Sequence, residues 1–260
     1  MMKESQLPKA RIIPVPVLRD NLAYLIHREG SRAAVVIDPS EAAPIIQRIE
    51  SEGLELKAII NTHHHWDHVG GNSELAEKFK APVWCSEYDL NRVPGASRGL
   101  KDGESFEFDD LKFEVLAIPG HTLGQIALYM PTAKAVFVGD TVFAMGCGRL
   151  FEGSPSQMWS SLKKLMSLPG DTRIYFGHEY TERNASFAKS VDPDNPEIQA
   201  RLEETLRALK SGRPSEAPTL EDEIKVNPFL KPSRAATALN LVGAEDLEIF
   251  TELRRRRDNW

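Results

Sequence analysis

The sequence predicts an α/β protein, with one large strand-rich domain followed by a smaller helical region. Two observations carry this. Through the first two thirds, short β-branched apolar runs bounded by Gly, Pro, Asn or Asp alternate with a few amphipathic stretches. Beyond Glu179 the apolar residues fall instead at helical spacing.

Residues 11–17, 22–27 and 33–37 read as strands, each apolar and each closed by a turn residue. A helix over Ala42–Glu52 sets Ile45, Ile46 and Ile49 on one side, and Gly53 stops it. Leu56–Asn61 is the next strand. Asn72 or Ser73 caps a helix running to Lys80. Strands are expected at 83–85, 104–108, 112–118, 125–130 and 134–138. Ser154-Pro155-Ser156-Gln157 is a helix start, with Pro at the first helical position and Gln at the third. Met158, Leu162, Leu165 and Met166 form its apolar stripe, and Pro169-Gly170 ends it. Arg173–Phe176 is a last strand. Asn195-Pro196-Glu197 then opens a helix with Ile198, Leu202, Leu206 and Leu209 as its apolar face and Gly212 as its stop. A loop rich in Pro and acidic residues is expected as far as Pro232. A final helix from about Ala244 is expected to bury Leu247, Phe250 and Leu253. The division is into residues 1–178 and 179–260. The second part has too small a core to stand alone and reads as a lobe docked on the first.

Composition excludes several classes. At 41% apolar and 27% charged the chain is an ordinary globular protein. No apolar run approaches the ~18 residues of a membrane span. Met1–Ala10 lacks the apolar core of a secretory signal. Cys85 and Cys147 cannot build a disulfide framework, so a reducing cytoplasm is the expected location, although one bridge between them stays open. A net charge of −6 argues against nucleic acid as a partner. The run Arg254–Arg257 reads, on its own, as a solvated helix face.

The chemistry gathers at strand ends. Thr62-His63-His64-His65-Trp66-Asp67-His68 follows the strand Leu56–Asn61. In an extended segment His63, His65 and Asp67 share a face, and a turn through Val69-Gly70-Gly71 brings His68 beside them. An affinity tag or a solvated polar loop is the plain alternative, but this run is internal and broken by Trp66 and Asp67. Three more apolar strands lead to Gly120-His121-Thr122, Gly139-Asp140-Thr141 and Gly177-His178-Glu179. Five of the seven histidines therefore sit at such ends. His64 alternates to the opposite face as a packing residue, and His27 is expected at the surface. Five histidines and two aspartates exceed the four ligands of a closed structural zinc site. They fit two metals sharing a carboxylate, with a position left for water. Imidazole and carboxylate suit zinc, iron or manganese.

This pattern, T-H-x-H-x-D-H followed by G-H-T, G-D-T and a late G-H, resembles the metallo-β-lactamase superfamily. The resemblance implies a four-layer αββα sandwich of two mixed sheets flanked by helices, with a C-terminal α-helical domain. It implies that His63, His65 and His121 hold one metal, that Asp67, His68 and His178 hold the other, and that Asp140 bridges. Asp67 and Asp140 then count as catalytic, because they hold the metal-bound hydroxide that acts as nucleophile. Two divalent ions are implied, zinc first and iron or manganese as alternatives. Asp38 matches an acidic residue that supports the metal loop.

Other segments resemble one branch of that superfamily, the glyoxalase II or hydroxyacylglutathione hydrolase family. They are Leu18-Arg19-Asp20-Asn21 with Tyr24, residues 147–153, Gly177-His178-Glu179-Tyr180-Thr181, Asn227-Pro228-Phe229-Leu230, and Arg254 to Trp260. The resemblance implies hydrolysis of S-(2-hydroxyacyl)glutathione, such as S-D-lactoylglutathione, to glutathione and D-lactate in methylglyoxal detoxification. It assigns substrate contacts to Arg149, Phe151, His178, Tyr180, Arg254 and Arg257. A guanidinium binds a carboxylate as a fork, and Arg254 and Arg257 share a helix face. Arg255 and Arg256 are then solvated. Phe151 stands where some members carry tyrosine, which removes a hydroxyl worth ~1 kcal/mol if used. Cys147 reads as a buried structural thiol. The rivals are a single-iron persulfide dioxygenase of the same superfamily, a metallo-nuclease and a non-catalytic metal-binding protein. The helical region and the full ligand set favour the hydrolase. The expected partner is the small thioester alone, without nucleic acid or membrane, and the chain is expected to be a monomer.

Overall fold

Alternating buried and exposed side chains mark strand β1 (Ala10–Val17), whereas β2 (Asn21–Arg28) is buried almost throughout. That contrast is the signature of an outer strand beside an interior one. The protein is described here by a computed structural model covering residues 9–211 and 216–260. It divides into two compact units: residues up to Ala117 with Gly124–Gly139, and Ile118–Leu123 with Asp140–Trp260.

In the first unit, β1 and β2 continue into β3 (Ala33–Ile37), α1 (Ala42–Glu52), β4 (Glu55–Ile60), the single turn α2 (Trp66–Val69), α3 (Asn72–Phe79), β5 (Val83–Ser86) and β6 (Ala96–Leu100). The six strands hydrogen-bond in sequence order, antiparallel up to β3 and parallel from β3 to β6. Strands β7 (Ser105–Phe108), β8 (Leu111–Ala117), β9 (Ile126–Met130) and β10 (Ala135–Gly139) form antiparallel neighbours in a second sheet. One face of the first sheet, with Leu25, Val36 and Ile59, packs under Ile45 and Ile49 of α1 and Leu75 of α3. The other meets the second sheet, where Tyr24 sets its ring 5.4 Å from Phe137 and Trp84 sits 5.5 Å from Phe106. Gly53 stops α1 in the left-handed conformation that its missing side chain permits.

The second unit holds the hairpin β11 (Val142–Phe143) and β12 (Gly146–Cys147), α4 (Pro155–Met166), β13 (Arg173–Phe176), α5 (Thr181–Val191), α6 (Pro196–Lys210), α7 (Leu220–Val226), the turn α8 (Ala236–Leu239) and α9 (Asp246–Asp258). The capping box at Ser154 and Gln157 is complete. An aromatic core joins α4, α5 and α9: Phe229 lies 5.9 Å from Phe187 and 6.0 Å from Phe250, and Trp159 lies 5.8 Å from Phe250.

Four sequence expectations need correction. Strand β6 escaped because Ala-Ser-Arg-Gly-Leu has little β-propensity; Gly99 is needed there, since a Cβ would lie 2.8 Å from the Glu87 backbone. Helix α5 escaped because its buried face is built largely of small or polar residues, Thr181, Asn184, Ala185 and Ala188. The acidic stretch read as loop contains α7, capped by Thr219 through the Asp222 amide, with Glu221, Asp222 and Glu223 at the dipole's positive end. Burial also shifts. Leu209 and Leu247 are exposed, with Ile249 buried beside Phe250 and Leu253, and His27 is buried rather than at the surface. The expected stop at Gly212 lies outside the described residues.

Glu223 is the buried charge of this unit. Its carboxylate accepts from the Met145 amide and from Asn227 Nδ2 at 3.0 Å, and Asn227 also donates to the carbonyls of Phe143 and Gly146. Burial pushes the Glu223 carboxyl up to about 7 despite those bonds. The folded state therefore binds this proton more tightly than the unfolded chain does. Stability falls as pH rises from the ordinary value of 4.5 to about 7, and is flat above. Glu223→Gln keeps an acceptor oxygen and loses the charge. Thermal melts at pH 5 and pH 8 should show a smaller pH difference for this variant than for the parent; an equal difference contradicts the assignment.

Candidate metal centre

The donors of the first unit hang on one buried carboxylate. Asp38 accepts from the Thr62 amide and the Thr62 hydroxyl, both at 2.7 Å, and its Oδ2 lies 3.1 Å from His68 Nδ1. It holds a left-handed φ of 51°, unusual for a residue with a side chain. A carboxylate on Nδ1 places the ring proton there and turns Nε2 outward as an electron-pair donor. His63 Nδ1 lies 3.1 Å from the Thr62 hydroxyl. Ligand atoms of Asp38, His63 and His68 fall within 4.8 Å of one another. The His63 ring centroid is 4.7 Å from that of His65 and 4.2 Å from that of His68. Asp67 is fixed by Asn21, whose Nδ2 donates to its carbonyl at 2.9 Å and its carboxylate at 3.2 Å, and by the Ser40 hydroxyl.

The extended reading holds only as far as His65. Asp67 and His68 lie on the helical turn α2, with the His68 amide donating to the His65 carbonyl at 2.9 Å. Gly70 and Gly71 are glycines because a Cβ there would lie 2.4 Å from the Ser40 carbonyl oxygen and 2.8 Å from that of Pro39. The metal loop is thus pressed against the Asp38 turn. Asn61, given no role from sequence, donates to the His68 carbonyl at 2.8 Å. Asn72, expected with Ser73 as a helix cap, is instead the first residue of α3 after Gly71, and its buried side chain pairs with Asn61. His64 lies with its Nδ1 3.4 Å from the fully buried Asp89, and Arg92 pairs with that same Asp89.

In the second unit three more donors converge. Asp140 Oδ2 lies 3.5 Å from His121 Nε2 and 3.3 Å from His178 Nε2. His121 Nδ1 is 2.8 Å from the Arg149 carbonyl, which can only accept, so Nε2 is again the outward donor. Gly148 passes so near Asp140 that a Cβ would lie 1.8 Å from its carbonyl oxygen. Phe151, well exposed, stands edge-on to His121 at 5.3 Å, and Tyr180 stacks on His178 at 4.7 Å. Neutral imidazoles locked by carboxylate, hydroxyl or carbonyl, with carboxylates beside them, fit divalent ions such as zinc, iron or manganese.

The C-terminal arginines differ from one another. Arg254 is buried, and its fork donates to the Cys147 carbonyl at 2.6 Å and to Asp258 at 2.9 Å. Arg257 is less buried and donates to Asn184 at 3.2 Å. Burial first, then the neighbouring Arg183 and Arg254, push Arg257 down to about 10. Arg255 and Arg256 both pair with Glu252.

The sequence model for the metallo-beta-lactamase superfamily matches residues 17–178, and that for the hydroxyacylglutathione hydrolase C-terminus matches 179–260. A hydroxyacylglutathione hydrolase of Methylococcus capsulatus is 42% identical over 95% of this chain and 97% of its own. Another, of Ruegeria pomeroyi, is 43% identical over 96% and 98%. The chain belongs to the hydroxyacylglutathione hydrolase family. Its fold is accordingly the αββα sandwich of the metallo-beta-lactamase superfamily with a helical C-terminal extension. Among solved structures, ETHE1 from Myxococcus xanthus superposes with a TM-score of 0.67 at 26% identity, over 95% of this chain and 89% of its own. TTHA1623, solved in a di-iron-bound form, gives 0.55 at 32% identity over 65% and 92%. No helix among the described residues is long and apolar enough to cross a membrane.

Asp38→Asn in this hydrolase replaces an acceptor with a donor on one side of the loop. Metal affinity, measured by chelator competition, should fall by about tenfold to a hundredfold; unchanged affinity contradicts the role given to Asp38. Cys85 and Cys147 are buried and unbridged, and burial pushes both thiols up to about 12. Neither should react with a disulfide reagent at pH 8 until the protein is denatured. Rapid reaction of the native protein contradicts a structural role.

Proposed function

We propose that this chain hydrolyses S-(2-hydroxyacyl)glutathione, S-D-lactoylglutathione in the first place, to glutathione and the 2-hydroxy acid. The observation that carries the reading is agreement along the whole chain. Both the metal-binding segment and the C-terminal segment match this one family, over nearly the full length of its curated members. That C-terminal match also favours the hydrolase over a dioxygenase or a bare metal-binding protein.

In this reading residues 1–178 carry the metals and 179–260 the substrate. His63, His65 and His121 would hold one ion and Asp67, His68 and His178 the other, with Asp140 serving both, and zinc is the first choice. Bound there, the ions supply a nucleophilic water near neutral pH and Lewis acidity for the thioester carbonyl. Water oxygen bonds to the carbonyl carbon and the C–S bond breaks. Sulfur departs as a thiolate, so no strong general acid is required. Asp67 and Asp140 keep carboxylate oxygens toward the attacking water. Phe151 and Tyr180, packed on His121 and His178, give the thioester an apolar wall next to the ligands. Arg149 and Arg257 offer guanidinium groups to the glutathione carboxylates. Arg254, whose fork is taken up by the Cys147 carbonyl and Asp258, serves by holding the last helix to the strip that leads to Arg149. The small substrate is the sole partner required, and the cytoplasm, where glutathione is abundant, the fitting location.

Thiol release from S-D-lactoylglutathione by the metal-loaded protein tests this directly. Turnover abolished by chelation and restored by metal is expected; no turnover above the chelated control rejects the reading. Arg257→Ala should raise KM for the glutathione thioester by about threefold to tenfold with a smaller change in kcat. Unchanged kinetic constants contradict its substrate role.

A further inference from the structure

The C-terminal arginine run is not uniformly balanced. Arg255 and Arg256 share Glu252, and Arg254 has Asp258. Arg257 forms no ion pair among the described residues, nor does Arg183, the guanidinium close enough to oppose the charge of Arg257. Like charges set together repel, and the acid that faces Arg257, Asp258, is already paired with Arg254. Such an arrangement is retained where an anion supplies the balance.

Beside this pair lies a cavity of about 520 Å³, lined by Glu179, Tyr180, Glu182, Arg183, Ser186 and Trp260. The Trp260 ring rests 5.5 Å from Phe187 yet stays half exposed, and the Tyr180 ring is fixed by its stack on His178. Glu179 is engaged at home, accepting from the Thr181 amide at 3.2 Å and from the Thr181 hydroxyl. Glu182 makes no ion pair among the described residues. Its plainer role is to favour the helix by sitting in the first turn of α5. That role needs no cavity, aromatic walls or arginine alongside.

We infer that this cavity is the seat of the γ-glutamyl end of the substrate, with Arg183 on its α-carboxylate and Glu182 on its α-ammonium. The inference rests on the glutathione-thioester reading above. The two ends of glutathione differ in kind: the glycine end carries a carboxylate alone, whereas the γ-glutamyl end is a zwitterion. A cavity with one guanidinium and two carboxylates, of which Glu179 is engaged by Thr181 and Glu182 is left for the ligand, between aromatic rings matches the zwitterion. Arg257, whose neighbouring acid Asp258 is already paired with Arg254, suits the glycine end. Arg183 thus becomes a specificity-determining residue for intact glutathione over its truncated form.

The test compares S-D-lactoylglutathione with S-D-lactoyl-N-acetylcysteinylglycine, in which an acetyl group replaces the γ-glutamyl group and blocks acyl migration to the amine, on the metal-loaded enzyme. Arg183→Ala should raise KM for the glutathione thioester by about threefold to fivefold, the scale of a solvent-screened ion pair. KM for the truncated thioester should move by less than about twofold. Arg183→Glu should widen the difference, and Arg183→Lys should restore part of it. Calorimetric titration with glutathione and with cysteinylglycine should give the same contrast without turnover. Equal effects on both compounds, or none on either, overturn the inference. If neither thioester turns over, the proposed activity fails, and the calorimetric contrast still decides the seat.

Discussion

A single buried carboxylate sets the first unit in order. Asp38 takes hydrogen bonds from the backbone and side chain of Thr62 and from His68, so one side chain ties the end of β3 to both ends of the histidine loop. Seven residues that would otherwise be a mobile polar loop become a cluster with fixed ring orientations. The requirement propagates outward. The loop must press on the Asp38 turn, so Gly70 and Gly71 cannot carry side chains. The Thr62 carbonyl accepts from Ile126 at 2.9 Å, and a Cβ on Gly139 would lie 2.3 Å from the Thr62 hydroxyl oxygen, so β9 and β10 are fitted to the same residue.

The second unit reaches a similar end by different means. Asp140 leads directly into a short hairpin with little core of its own, and polar side chains from the helices hold that hairpin in place. Asn227 takes the carbonyls of Phe143 and Gly146, Asn184 takes that of Ala144 at 3.0 Å, Glu223 takes the Met145 amide, and Arg254 takes the carbonyl of Cys147. Backbone groups buried away from water must find such partners. The helical extension is therefore structural support for the Asp140–Arg149 strip. A buried glutamate whose carboxyl is pushed up to about 7 by burial is the cost of that clamp.

Much of this was legible in the residues. The strand pattern, the capping box at Ser154 and the metal-donor set all announce themselves, because each depends on local periodicity or on a rare residue at a marked place. Asp67 was placed on the right loop but in the wrong local conformation, since alternation alone cannot reveal that one helical turn begins at Trp66. Asn61 and Asn227 were given no role of their own, and Asn72 only that of a helix cap, because a buried amide holding a polar partner looks like any turn asparagine until that partner is known. The acidic helix at Leu220 escaped because its signal is charge at the amino end, not an apolar face. Arg254 illustrates the opposite case: its helix and neighbours were readable, but that its fork is taken up by a backbone carbonyl and Asp258 was not.

The central claim is that two sets of fixed donors, one ordered by Asp38 and one by the clamped hairpin, serve a pair of metals. Elemental analysis of the metal-loaded and desalted protein tests it most directly. The account predicts about two divalent ions per chain. A stoichiometry of one or none, in protein that remains folded, would contradict it.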